Sequence, residues 1–192
     1  FRNNLFIALN DGSTQSTIQV VIDRDNTPQE VQDALNPGTA IEATGTLVES
    51  QGRGQTVEVQ ADSVKIIGHS SAEDYPLQPK QHSFEFLRTI AHLRMRTNTF
   101  GAVFRIRHNL AYAIHEFFHN KGFYYMHSPI ITASDAEGAG EMFRVTTLEG
   151  SAFTNDATGE SDFFGKKTYL TVSGQLEAES GAQSLGRVYT FG

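Results

Sequence analysis

The hydrophobic residues of this chain keep two different periods, and no single element type accommodates both. Up to residue 67 they alternate: Leu5, Ile7 and Leu9, then Ile18, Val20 and Ile22, then Val57, Val59 and Ala61. Over residues 100–120 they return every three or four positions, at Phe100, Val103, Phe104, Leu110, Ala111, Ile114, Phe117 and Phe118. The first pattern is that of strands with one covered face, the second that of a long amphipathic helix. Between them, residues 69–82 carry Pro76 and Pro79 among polar groups, the composition of a linker. With 192 residues the chain has room for two small domains.

The strand-rich part holds four candidate strands, at residues 5–9, 17–22, 40–49 and 55–67. Asn10-Asp11-Gly12-Ser13 and Gly52-Arg53-Gly54 supply turns, and a short helix is expected at 29–35 before Asn36-Pro37-Gly38. Short strands at this spacing with one inserted helix predict a small Greek-key barrel of the OB type. Its opening strand is missing and neither end reads as a natural terminus, so a fragment is expected. A strand is expected at 123–132, after Gly122 stops the helix.

Composition narrows the function. A net charge of -7 argues against indiscriminate binding of nucleic acid, which runs on neutralised phosphates, but leaves room for reading a few unstacked bases. The absence of cysteine excludes disulfides and thiolate metal sites and suits a reducing cytosol, the expected location. No apolar run approaches the ~20 residues of a membrane helix.

Alternation leaves Phe6, Gln19 and Glu58 off the core face, on strands that an OB barrel can bring together. A ring beside an amide and a carboxylate suits a single-stranded base, stacked by the ring and hydrogen-bonded at its edge. The alternative is a Phe6 packed under a loop with two solvated polar neighbours. Arg53, at a hairpin tip, could touch phosphate or simply add solubility. Further on, the apolar stripe of the helix needs a partner surface, inside the chain or on another. Residues 132–143 combine small residues, two glycines and acids, a loop able to close over a small ligand. His115-Glu116-Phe117-Phe118-His119 fits H-E-x-x-H, which on a helix can hold zinc for peptide hydrolysis. It lacks a clear third ligand, since the only later histidine is His127. The pair shares a helix face with His108 and Tyr112, expected to be polar surface. No metal ligand is assigned.

Several strings resemble the aspartyl, asparaginyl and lysyl class II tRNA synthetases. They are Phe6-Ile7-Ala8-Leu9-Asn10-Asp11-Gly12-Ser13 with Ile18-Gln19-Val20-Val21, Gly122-Phe123-Tyr124-Tyr125-Met126-His127-Ser128-Pro129, and Ser173-Gly174-Gln175. The resemblance runs from Leu5 to the end and is nearest to the bacterial asparaginyl members. It implies an anticodon-binding OB domain at 1–68, a hinge at 69–98, and the front of an α+β catalytic domain, an antiparallel sheet with flanking helices, at 99–192. In that family the residues matching Phe6, Gln19 and Glu58 read the anticodon. The helix and strand around Pro129 form a homodimer interface. Glu137 faces the substrate ammonium, and Ser173 and Gln175 hold the amino acid. Aspartyl enzymes place proline at the middle of the Ser-Gly-Gln element and lysine where Ala178 stands. Without that cation, an uncharged amide is the better substrate side chain, because an unpaired buried carboxylate costs several kcal/mol. The implied reaction is ATP-dependent ligation of asparagine to tRNA(Asn) through an adenylate, with Mg2+; the alternative is the aspartyl activity. Met95 replaces the family's usual proline. Two motifs that hold ATP in the family lie outside the chain, so no catalytic residue is assigned.

Overall fold

The strand-rich part builds one mixed sheet. In the computed structural model, which describes residues 3–52, 54–136, 138 and 142–192, the chain falls into two units, Phe1–Arg107 and His108–Gly192. In the first, β1 (Asn4–Leu9) runs antiparallel to β2 (Ile18–Asp23), and β3 (Ala40–Glu49) runs antiparallel to β4 (Val57–Gly68). β2 and β4 pair in parallel, giving the order β1-β2-β4-β3. A parallel pair cannot be joined by a hairpin, so the chain crosses over through α1 (Gln29–Ala34) and β3 before β4 returns. Central β2 supplies the core: Val20, Val21 and Ile22 are all buried.

The alternation held on β1, was lost on central β2, where three consecutive residues are buried, and failed at one end of β4. Val57, expected to face inward, is 40% exposed. It pairs with Glu49 at the last rung of β3–β4, beyond Glu58, where the β2–β4 ladder begins, so no strand covers it. After the sheet come α2 (Phe84–Thr89) and a turn of 3-10 helix at Arg94–Arg96. The Ser83 hydroxyl caps α2 by accepting from the Phe86 amide, and Leu87 is buried.

The helix α3 runs from Asn98 to Asn120. Beyond it the second unit contains two small sheets. β5 (Tyr124–Tyr125) pairs in parallel with β9 (Val188–Tyr189). β6 (Ile131–Thr132), β8 (Thr168–Leu170) and β7 (Arg144–Val145) form an antiparallel sheet in the order β6-β8-β7. The helices α4 (Gly150–Asn155) and α5 (Gln175–Leu185) lie between these strands in the chain. The single strand expected at 123–132 is therefore two short ones. The segment changes partners midway: Tyr124 and Met126 donate to Arg187 and Tyr189, whereas Ile130 accepts from Thr171. Pro129, which has no N–H, sits at the changeover.

The stripe of α3 splits into two faces. Ala111, Ile114, His115 and Phe118 are half-buried, while Val103, Ile106, Leu110, Ala113 and Phe117 stay exposed. His115, expected on a polar surface, instead lies in an aromatic cluster. Its ring is 4.9 Å from that of Tyr125 and 5.4 Å from that of Phe191, and Phe118 stacks on Tyr189 at 4.5 Å. The reason is Tyr189, whose hydroxyl lies 2.6 Å from His115 Nδ1 and gives the imidazole a buried polar partner.

Candidate functional site

One face of the first sheet gathers the three residues singled out for base reading. Pleating puts Phe6 and Ala8 on one face of β1, and the ladder sets Phe6 opposite Val21 and Ala8 opposite Gln19. Gln19 in turn stands opposite Glu58 on β4. The Phe6 ring is 52% exposed, whereas Gln19 and Glu58 are half-buried. The Gln19 side-chain amide donates to Glu58 Oε2 at 3.0 Å.

Glu58 is held by more than Gln19. Oε2 also accepts from the Ser50 hydroxyl at 2.8 Å and from the Gln55 amide at 3.3 Å, and Oε1 accepts from the Gln60 amide at 2.9 Å. Four donors on one carboxylate fix its orientation. The result is a ring open to solvent beside an oriented amide–carboxylate pair. Sequence reading missed Ser50, Gln55 and Gln60. Gln60 could have been found, two residues from Glu58 on the same strand face; Ser50 could not, because it reaches Glu58 across a turn. Arg53 lies outside the described residues.

In the second unit a cleft of about 350 Å³ is lined by the segment Tyr125 to Ser128, by Thr171 to Gly174 and by the end of the chain from Thr190. Ser173 is part of its wall. The Ser173 hydroxyl accepts from the Gln175 amide at 3.1 Å, tying this wall to the first residue of α5. Close approach explains the glycine between them: a Cβ on Gly174 would collide with the Ser128 hydroxyl and stand 3.1 Å from Thr190 Cγ2. Gln175 is exposed beside the cleft, with its side-chain amide donating to Glu179 at 2.9 Å. Ala178 is half-buried in the first turns of α5, where its amide donates to Gly174. Pro129 is exposed between β5 and β6. Glu137 lies outside the described residues.

A second polar cluster had no counterpart in the sequence reading. Arg144, on β7, stands 3.5 Å from Asp162 and 3.9 Å from Asp156, with its guanidinium 4.8 Å from the Phe153 ring centre. Asp162 also accepts from the Thr147 amide and hydroxyl and from the Phe163 amide. Hydrogen bonds from Thr146 and Thr147 hold its carboxyl well below the usual carboxylate range. These contacts tie the segment between β7 and β8 to β7 itself. For the H-E-x-x-H string, no three His, Asp or Glu side chains among the described residues are gathered so as to hold a metal ion.

Comparison with known proteins places these features. Residues 83–192 match the family of class II tRNA synthetases (D, K and N), and residues 2–67 match an OB-fold nucleic acid binding domain. An asparagine–tRNA ligase of Parabacteroides distasonis is 58% identical over 191 residues, and one of Nitratidesulfovibrio vulgaris is 54% identical over 190. Each alignment covers 97% of this chain, which spans about 41% of the length of either relative. Among solved structures, asparaginyl-tRNA synthetase of Pyrococcus horikoshii complexed with asparaginyl-adenylate superposes with a TM-score of 0.79, at 21% identity over 99% of this chain and 40% of that one. The Entamoeba histolytica enzyme, also with asparaginyl-adenylate, gives 0.76 at 22% identity, covering 99% of this chain and 40% of that one. At such identities the likeness is one of fold.

Proposed function

Because the chain belongs to the class II tRNA synthetases of the aspartyl, lysyl and asparaginyl group, we propose that it serves ATP-dependent ligation of asparagine to tRNA(Asn). The observation that carries the tRNA half of this reading is the face of the first sheet where Phe6, Gln19 and Glu58 adjoin. The Phe6 ring stacks an anticodon base, and Gln19 and Glu58 hydrogen-bond its edge. Naming of the relatives as asparagine–tRNA ligases supports the amino acid.

At the cleft, Ser173 and Gln175 orient the amino acid, and Glu137 receives its ammonium through charge-assisted hydrogen bonds. Gln175 turns from Glu179 toward the substrate when the amino acid arrives. Ala178 brings no cation, which suits an asparagine amide and leaves an aspartate carboxylate unpaired. The class II synthetase family uses ATP and Mg2+, which supply the activated phosphate and its charge neutralisation. The described residues do not gather a metal-ligand set. This chain's own residues are therefore assigned only to the amino acid and the anticodon. Positioning, rather than a protein nucleophile, is their contribution. A homodimer through α3 and the Pro129 segment, and a cytoplasmic location, complete the proposal. No described helix is long and apolar enough to cross a membrane.

The test is amino-acid-dependent ATP–pyrophosphate exchange in the full-length protein, with asparagine compared against aspartate. Exchange with asparagine alone is expected. Exchange with aspartate would keep the adenylation chemistry and overturn the argument from Ala178, and exchange with neither would overturn the function.

A further inference from the structure

We propose that Arg105 is a positioning residue for tRNA charging: its guanidinium latches the turn between β1 and β2 onto the first turns of α3. The inference rests on the function proposed above, and its geometry stands independently within the first unit. Arg105 Nη2 donates to the backbone carbonyls of Gly12 at 2.8 Å and Thr14 at 2.9 Å. Nη1 donates to Gln15 Oε1 at 3.1 Å and to the Gly101 carbonyl at 3.2 Å. Gln15 uses the other end of its amide as well, donating to the Asn98 carbonyl at 2.7 Å. Four residues of the turn and the helix thus converge on one planar fork. A lysine, with its charge on a single nitrogen, cannot reproduce this set.

Two further features fit a built contact. Gly101 is buried, and a Cβ there would stand 3.2 Å from Arg105 Nη1, 3.3 Å from the Met95 carbonyl and 3.4 Å from Gln15 Oε1, a tight fit that would push on the latch. The turn is also stiff before it meets the helix. Asn10 accepts from the Gly12 amide and donates to the Thr14 and Ser16 carbonyls, while Asp11 accepts from the amide and hydroxyl of Ser13. A stiff turn transmits what holds it. It joins the strand of Phe6 to the strand of Gln19, so Arg105 sets where the base-facing pair stands relative to the start of α3. Arg105 touches no base and no reacting atom in this scheme.

The experiment compares R105Q, R105K, Q15A and the R105Q/Q15A pair in the full-length protein, by tRNA charging and by asparagine-dependent ATP–pyrophosphate exchange. Expected is at least a tenfold fall in charging kcat/KM for R105Q, with exchange within twofold of wild type. R105K does not rescue, and the double variant is worse than R105Q, because the bond from Gln15 to the Asn98 carbonyl is lost as well. Equal loss of both activities, or loss of neither, overturns the proposal. A readout free of catalysis separates it from the functional reading: amide hydrogen exchange over residues 10–16 rises at least tenfold in R105Q, with protection of β3 and β4 unchanged. Should wild type neither charge tRNA nor exchange pyrophosphate, the function fails while the hydrogen exchange still decides the latch. Unchanged exchange over the turn rejects the latch.

Discussion

Phe6 and Gln19 share one face but reach it differently, and their loss has different consequences. Phe6 lies half in solvent, so Phe6→Ala removes the stacking surface and is expected to leave the sheet intact. Stacking contributes roughly 1–3 kcal/mol per base, which corresponds to a rise in tRNA KM of roughly 5- to 150-fold. Asparagine activation, measured by pyrophosphate exchange, is expected to stay within twofold. Gln19→Ala takes one of the four donors from Glu58, and Ser50, Gln55 and Gln60 remain. The carboxylate therefore stays oriented, and the expected loss is again in charging rather than in activation. Normal charging by both variants would dismiss the base-reading assignment.

The segment between β7 and β8 depends on a carboxylate whose ionised form the fold favours. Hydrogen bonds from Thr146 and the Thr147 amide lower the Asp162 pKa below its unfolded value. A group shifted in that direction contributes stability that is fully present above the unfolded carboxylate pKa of about 4 and is lost as pH falls through the folded value. Asp162→Asn should therefore unfold at lower denaturant than wild type at pH 7, and the gap should narrow steadily below about pH 4. A gap that is constant with pH would mean that the charge of Asp162 does not matter. Nothing in the sequence announced this cluster: Arg144 and Asp162 are 18 positions apart with no periodic relation. The same holds for Arg105 and Gly12, separated by 93 positions. Alternation made β1 and the shared face of Phe6, Gln19 and Glu58 legible, because pleating fixes every second residue to one face, whereas central β2 is buried at consecutive positions. Strands of two residues, such as β5 and β6, are too short to carry any period. Their existence follows from tertiary pairing alone.

On the scale of the whole molecule, the proposed homodimer rests on the outer face of α3. Its outer face repeats Val103, Ile106, Leu110, Ala113 and Phe117 at alternating steps of three and four. Ile106, Leu110 and Phe117 are 58%, 59% and 57% exposed, a seam of the kind that packs one helix against another. The adjoining face, with Ile114, His115 and Phe118, is already half-buried. A two-fold pair would set this seam against its own copy, so one substitution acts twice. Burying a leucine contributes roughly 1.5–3 kcal/mol, and a carboxylate in its place adds a desolvation cost of several kcal/mol unless paired. Leu110→Glu in the full-length protein should therefore weaken self-association by at least about 100-fold, read by sedimentation velocity across a concentration series. Its exposed position predicts an unchanged melting transition for the separated subunit, so loss of association is distinguishable from misfolding. Wild type that sediments as a monomer at tens of micromolar would refute the homodimer and leave the seam of α3 to some other surface.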